Sequence, residues 1–378
     1  MKKILLVALA CVSFLSFSAE QNRDVEKLKV EINKNAELLG LAYFIGFEGE
    51  NIGNETVVIE GKEIPKKEWH RYGYSIYEKY KSYATSENLA IAFSVADHLW
   101  LDYILNLLAQ VQDFPNAALV PTIDKDYYIN FSKSSDIDEA KKNATLFLEG
   151  LNKFYIEIAF DQYLLESKRY YEAALDQVRN NLTDTDFIEA MESFYNRSFE
   201  SYTLIPSLTI PKGMGFGLRY TINDKTHIFN IFGAFDMQNL GQVDTVDMGF
   251  ANSERLRELS VHEFGHSFVN PVVDTIEEEQ VAATEKLFLP IQSAMSDQNY
   301  ITWKACLYEH FVRAGEVVLA KKTDKNERSE QLRSWYIEDR KFIYLPLIIE
   351  ELERYDRGET KTYLEAVNNS IERLAKMQ

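Results

Sequence analysis

The chain has 378 residues, 46% of them hydrophobic, and its 59 acidic side chains against 41 Lys and Arg give a formal charge of −18. Such an acidic excess repels phosphate groups, which argues against nucleic acid and anionic membrane surfaces as partners. The length and hydrophobic content suffice to bury a large core, as one long domain or two.

The first 18 residues are typical of a secretory signal peptide. Met1-Lys2-Lys3 gives a basic start, residues 4–17 are almost entirely apolar, and small residues follow. The apolar stretch is too short for a comfortable membrane span, and no later stretch is long enough. Cleavage after Ser18 removes two lysines and no acidic residue, so the charge moves from −18 to −20. We therefore expect an exported protein, periplasmic or extracellular.

The cysteine content of the mature chain is low. Loss of the leader leaves Cys306 alone, so no internal disulfide can form. Cys306 lies in an apolar helical stretch, which predicts core packing rather than a nucleophile. Lipidation of Cys11 is the weaker alternative, because Ala8-Leu9-Ala10 is a poor lipidation box.

The region from residue 19 to residue 200 is predicted to be mainly helical. Apolar and aromatic residues recur in it at helical spacing, which usually marks core packing. A stretch rich in Gly, Asn and Glu predicts a loop over residues 46–62. The predicted helices cover residues 30–45, 69–83, 89–111, 138–182 (as two helices) and 186–199.

Residues 201–236 change to a β-rich texture. Strands are predicted over residues 204–210, 216–222 and 227–235, with Asn223-Asp224 as a turn signal. They predict a small antiparallel or mixed sheet just upstream of the next helix. Gly213-x-Gly215-x-Gly217 lacks the following helix of a nucleotide-binding loop, so it indicates turn and strand flexibility.

His262-Glu263-Phe264-Gly265-His266 has the spacing that a helix needs to hold a catalytic zinc. Residues four apart lie on one helical face, so both imidazoles can bind one ion. Glu263 lies beside that ion, where it can take a proton from the attacking water. Asn252 or Ser253 is predicted to cap this helix, and Asn270-Pro271 to end it.

A catalytic zinc usually takes three protein ligands and leaves one position for water. A third histidine ten residues after the first is excluded, because that position is Val272. The acidic candidates for the third ligand are Asp274, Glu309 and Glu316.

The predicted helix over residues 302–320 is apolar nearly all round, which predicts burial. Glu309, Arg313 and Glu316 form one polar stripe along it, and buried polar groups need partners such as a metal and its surroundings. The alternative is a purely structural ion pair between Arg313 and both glutamates. Periodicity does not choose between Glu309 and Glu316. Two further helices are predicted over residues 333–355 and 360–377.

Three segments carry a resemblance to a known family: Leu259–Pro271, Glu309–Ala314 and Asn33–Leu41. They resemble a group of bacterial zincin-like proteins recorded as a domain of unknown function. The resemblance implies a gluzincin-type site, with His262, His266 and Glu309 on zinc and Glu263 as the base. The expected fold is α+β and predominantly helical, with residues 201–378 as a zincin-like catalytic region, which can be continuous with residues 19–200.

The expected function is a secreted metallopeptidase with one catalytic zinc and a peptide or protein substrate. His227, Tyr308 and His310 are the candidates for stabilising the oxyanion, and residues 216–235 can supply an edge strand for an extended peptide. The alternatives are a non-catalytic, zinc-stabilised binding or scaffold protein, and a zinc hydrolase of a non-peptide amide or ester.

Overall fold

The computed structural model describes residues 27–59, 61–182, 185–241, 246–323 and 325–377. The predicted signal peptide, including Cys11, lies outside these residues. Helices dominate the described chain, as predicted. They are α1 (Lys34–Tyr43), α2 (Gly49–Ile52), α3 (Lys66–Trp69), α4 (Arg71–Tyr80), α5 (Glu87–Ser94), α6 (Leu101–Leu108), α7 (Ile137–Glu157), α8 (Phe160–Asn181), α9 (Asp186–Tyr195), α10 (Ser253–Val273), α11 (Glu278–Ala282), α12 (Gln292–Ser296), α13 (Trp303–Lys322), α14 (Asn326–Ser334), α15 (Leu345–Asp356) and α16 (Tyr363–Ala375).

Within the described residues, six strands form two sheets. They are β1 (Leu28–Val30), β2 (Thr56–Ile59), β3 (Lys62–Pro65), β4 (Ser201–Pro206), β5 (Gly215–Ile222) and β6 (Lys225–Phe232). β2 and β3 pair with each other, and the larger sheet has the order β1-β4-β6-β5. In that sheet β1, β4 and β6 run parallel, whereas β5 is antiparallel to β6. The prediction of a small mixed sheet upstream of α10 is confirmed, and β1 and β5 are its two edge strands.

The β5–β6 hairpin turns where the sequence predicts. Asn223 and Asp224 both adopt positive φ, 49° and 61°. Two left-handed residues in a two-residue loop suit the right-handed twist of the flanking strands. The turn fixes the register, so that Gly217 lies opposite Asn230 and Tyr220 opposite His227.

Two predictions near the N-terminus are wrong in detail. The helix predicted from Val30 begins at Lys34, since residues 28–30 are β1, paired with residues 202–204 of β4. A three-residue strand is too short to show periodicity. The predicted loop over residues 46–62 contains α2, β2 and the first residue of β3.

Two predicted long helices are interrupted. The one over residues 89–111 is α5 and α6 with turns between them, where the Ala96 N–H donates to the Phe93 carbonyl at 3.1 Å. The one over residues 333–355 is the end of α14, a π-helical turn (Trp335–Asp339) and α15. Lys341, at φ 65°, separates the last two, since a left-handed residue cannot continue a helix.

The predicted stop at Asn270 is also wrong, because Pro271 lies inside α10. Proline there removes a single donor, and the ladder resumes when the Asp274 N–H donates to the Asn270 carbonyl at 2.9 Å. α10 packs against β5 on one side and against α13 on another.

One cluster of buried apolar side chains runs through both predicted regions, from Ala36 in α1 to Leu374 in α16. Cys306 belongs to it, as predicted. Among the residues that the structure describes, none of the helices combines the length and the apolar character that a membrane crossing needs.

Candidate metal centre

α10 brings two imidazoles to one face. Its N-terminus is fixed by Asn252, whose side chain accepts a hydrogen bond from the Arg255 N–H at 3.1 Å, as the sequence predicts. His262 and His266 follow one turn apart, with ring centroids 4.9 Å from each other. Both side chains are partly exposed, at 16% and 19%, so solvent reaches part of each ring.

α13 supplies the carboxylate that faces these rings. The Nε2 atom of His266 lies 3.3 Å from Glu309 Oε1, and the Nε2 atom of His262 lies 3.7 Å from Glu309 Oε2. One ligand atom from each of the three residues lies within 4.8 Å of the others. His262, His266 and Glu309 could therefore hold a metal ion.

The other nitrogen of each ring has a partner that orients it. His262 Nδ1 lies 2.6 Å from Glu316 Oε1, and Glu316 in turn accepts a hydrogen bond from the Tyr336 hydroxyl. His266 Nδ1 lies 3.3 Å from Asn270 Oδ1. A proton on each Nδ1, donated to these oxygens, leaves both Nε2 lone pairs directed at Glu309.

Arg313 decides the charge of Glu309. Its Nη2 atom lies 2.8 Å from Glu309 Oε2, and both side chains are buried. Burial alone would raise the pKa of Glu309, but the charges of Arg313 and His262 outweigh it and hold that pKa well below its usual range. Burial alone would lower the pKa of His266, yet Glu309 raises it to about 9.

The donor set fits a divalent cation in number and spacing. Two ligands of a tetrahedral zinc, each about 2.0 Å from the ion, stand about 3.3 Å apart, close to the observed His–Glu separations. Glu309 favours a proton on His266, and a metal ion at both Nε2 atoms would replace such protons. The buried Glu263, Glu309 and Glu316 then carry three negative formal charges against one positive charge on Arg313. Three minus one leaves two charges to neutralise, and a divalent cation supplies them.

Glu263, next to His262 on α10, lies against the edge strand β5. A Cβ atom added to Gly215 would stand 3.1 Å from Glu263 Oε1, and one added to Gly217 would stand 2.1 Å from the Glu263 carbonyl oxygen. Only a glycine permits this approach of β5 to α10. The predicted turn is present at Gly213, at φ 81°, but Gly215 and Gly217 serve contact rather than flexibility.

The two other candidate third ligands lie outside the cluster. Asp274 is half-exposed, pairs with Lys304 Nζ at 2.7 Å and accepts a hydrogen bond from the Tyr308 hydroxyl. Glu316 contacts His262 at Nδ1, on the side of the ring away from Glu309. The polar stripe on α13 therefore contains both expected features, since Glu309 faces the histidines and also forms the ion pair with Arg313.

The geometry does not bring the three predicted oxyanion donors to the cluster. His227 faces the side of the sheet opposite α10, because its cross-strand partner Tyr220 alternates with Gly217 and Gly215. Tyr308 donates to Asp274. His310 is buried among aromatic rings, where burial lowers its pKa to about 4 and its Nδ1 lies 2.8 Å from the Cys306 carbonyl oxygen.

Tyr300, just before α13, is a site residue that the sequence argument missed. Its hydroxyl accepts a hydrogen bond from Arg313 Nη2 at 3.1 Å, and the same nitrogen bonds Glu309. Burial and the negative charge of Glu309 raise the pKa of Tyr300 to about 12, so its proton is retained. In the described chain the Tyr300 O–H has no acceptor of its own. Its position follows from the loop before α13, where Asn299 has φ 69°, and no motif signals it.

Comparison with protein families yields one match. The family model described as "Domain of unknown function (DUF4932)" matches residues 104–368, which is more than half of the chain. The match includes α10 and α13 with all three clustered ligands, whereas residues 33–41 lie outside it. No curated protein and no solved structure matches the chain.

Proposed function

Because this chain belongs to the DUF4932 family, a family of unknown function, we propose its function from the centre itself: it is an exported zinc metallopeptidase. The observation that carries the proposal is the convergence of His262, His266 and Glu309, with Glu263 beside them and an edge strand above. Three protein ligands, which leave a position for water, are typical of catalytic zinc sites, whereas structural sites usually have four ligands and favour cysteine.

The proposed roles follow from position. His262, His266 and Glu309 would hold the ion, which when bound supplies a Lewis acid and an acidified water. The Glu263 carboxylate accepts a proton from the attacking water and passes it to the leaving nitrogen. The Tyr300 hydroxyl, whose proton is free, donates a hydrogen bond to the oxyanion. Arg313 keeps Glu309 ionised and holds the Tyr300 oxygen in place.

The edge strand β5 is the proposed binding site for an extended peptide substrate. In a two-residue hairpin the two residues next to the turn form a hydrogen-bonded pair, and hydrogen-bonded pairs then alternate along the strands. Phe216, Leu218 and Tyr220 are therefore hydrogen-bonded to β6. Gly215 and Gly217 point their N–H and C=O groups away from β6, towards the open edge. In the described chain nothing caps these groups at Gly217. A peptide that pairs there lies directly over Glu263, and this pairing favours a peptide over a small amide or ester.

The test uses Glu263→Gln, an isosteric change that removes the base and keeps the ligands. We expect one equivalent of zinc to be retained, measured by mass spectrometry of the metal content, and hydrolysis of a peptide library to fall by at least about 100-fold. Glu254→Gln, on the exposed first turn of the same helix, is the matched control and should keep activity. Wild-type rates in Glu263→Gln would refute the mechanism.

A further inference from the structure

Arg219 stands on the same face of β5 as the two glycines that touch Glu263. Side chains two apart on a strand share a face, so Gly215, Gly217 and Arg219 form one row. Gly217 contacts the Glu263 carbonyl, and Arg219 follows about 7 Å further along the strand. Its side chain therefore emerges beside α10 at the end of the open edge.

The open edge ends at this residue. The carbonyl of Arg219 accepts a hydrogen bond from Gln110 Nε2 at 3.3 Å, which closes the outer edge of β5 at that point. A peptide can pair with the strand at Gly217 but no further. The peptide segment that continues past Gly217 then meets the guanidinium of Arg219.

That guanidinium makes no ion pair and no side-chain hydrogen bond with any described residue, in a chain where acidic side chains outnumber basic ones by 59 to 41. Arg197 is a second guanidinium close to it. Partial burial and the charge of Arg219 both lower the pKa of Arg197, which stacks on Phe199 and has no acidic partner among the described residues. Two neighbouring guanidiniums without an ion-pair partner attract an anion.

Two helices lie near the same end of the centre. α6 packs against β5, and its Tyr103 is 43% exposed. α13 carries Tyr308, the residue before Glu309, whose hydroxyl donates to Asp274 at the C-terminal end of α10. β5, α6 and α13 thus each contribute a polar or aromatic side chain to this part of the molecule.

We propose that Arg219 determines substrate specificity by binding a peptide carboxylate, from an acidic side chain or from the C-terminus, in the segment that passes Gly217. The inference rests on the proposed peptidase function and names its substrate class. A planar guanidinium suits a carboxylate because it can donate two parallel hydrogen bonds.

The experiment compares matched peptides that differ in one charge. One pair replaces Glu by Gln at successive positions around the cleaved bond, and another replaces a free C-terminus by an amide. We expect wild-type kcat/KM to favour the carboxylate peptide, and Arg219→Gln to reduce the ratio of the two kcat/KM values roughly 10- to 100-fold, as for loss of a hydrogen-bonded charge. The pair that shows the effect identifies the source of the carboxylate. Arg169→Gln, an exposed change of the same charge on α8, should keep the ratio.

A binding assay separates this inference from the peptidase proposal. Fluorescent carboxylate and neutral peptides are titrated onto zinc-loaded Glu263→Gln, with and without Arg219→Gln. A preference for the carboxylate that disappears with Arg219→Gln supports the inference, even if the wild type cleaves nothing and the peptidase proposal fails. Equal affinity for both peptides, or an equal loss for both in Arg219→Gln, would overturn it.

Discussion

Glu37 in α1 and Glu309 in α13 are both buried carboxylates, but their partners and the directions of their pKa shifts differ. Glu37 Oε2 accepts hydrogen bonds from the Tyr171 and Thr209 hydroxyls at 2.8 and 3.2 Å, while its Oε1 has no partner among the described residues. Burial outweighs these neutral donors and raises the pKa of Glu37 to about 7. Glu309 has Arg313 and two imidazoles around it, and its pKa falls well below the usual range.

The difference shows what makes a buried acid a ligand. Neutral hydroxyl donors around Glu37 satisfy one oxygen but do not offset the cost of charge, so the acid tends to keep its proton. A fixed guanidinium keeps Glu309 ionised before any metal arrives, and an ionised carboxylate is what a divalent cation binds. The first cluster is therefore structural, and the second is suited to a cation.

Removing Arg313, the positive charge beside Glu309, should have the largest effect on stability. Arg313→Met keeps most of the side-chain volume but leaves Glu309 buried without its guanidinium, so we expect the metal-free protein to lose about 3–5 kcal/mol of unfolding free energy in urea. The double variant Glu309→Gln/Arg313→Met, which leaves no such charge, is the control and should lose less. An equal loss in both variants would show that the ion pair is not the cause.

A pH series on Glu37 tests the first cluster. The folded pKa of about 7 exceeds the ordinary value of 4.5, so its contribution to stability is fully present below pH 4.5 and is lost as the pH rises towards 7. The loss amounts to about 3 kcal/mol at most. Glu37→Gln should flatten this part of the curve of unfolding free energy against pH, as measured by urea unfolding. Between pH 5 and pH 8 the variant should gain stability relative to the wild type. Parallel curves would contradict the assignment.

The smallest effect is expected when a hydrogen bond that indirectly orients His262 is removed. Tyr336→Phe removes the hydroxyl that holds Glu316, and Glu316 orients His262. We expect zinc affinity to weaken about tenfold in a chelator competition assay, as for other partners of metal-binding histidines. Tyr355→Phe is the control: it also removes a partly buried hydroxyl, which donates to the Phe194 carbonyl at a distance of 2.7 Å. That bond lies away from the metal centre, so zinc affinity should be unchanged. A similar loss in both variants would point to general destabilisation instead.

The helical spacing of His262 and His266 fixes much of the centre from sequence alone. A separation of four residues on a capped helix leaves few other arrangements for two rings, and a polar stripe on an apolar helix must find partners. The sequence argument left Asp274, Glu309 and Glu316 open, because the rotation and translation of α13 against α10 depend on packing. The structure places Glu309 beside the Nε2 atoms of both rings and Glu316 beside Nδ1 of His262, which favours Glu309.

Long-range contacts account for what the sequence argument missed. Nothing local to Gly217 reveals that a helix backbone will lie against it, and nothing near Tyr300 reveals that Arg313 will reach its hydroxyl. The sequence also gives no signal for strand β1, because its three residues form a strand only by pairing with β4. The interruption after α5 and the π-helical turn at Trp335–Asp339 also depend on tertiary packing that apolar periodicity does not report.

The three candidate ligands come from two helices that meet only once the chain has folded. A denatured chain offers an ion at best the histidine pair, so an ion held by all three would favour the native state through mass action, by about 2.7 kcal/mol at a free concentration one hundred times its dissociation constant. The supply of that ion would then set the lifetime of this polypeptide against degradation as well as its chemistry.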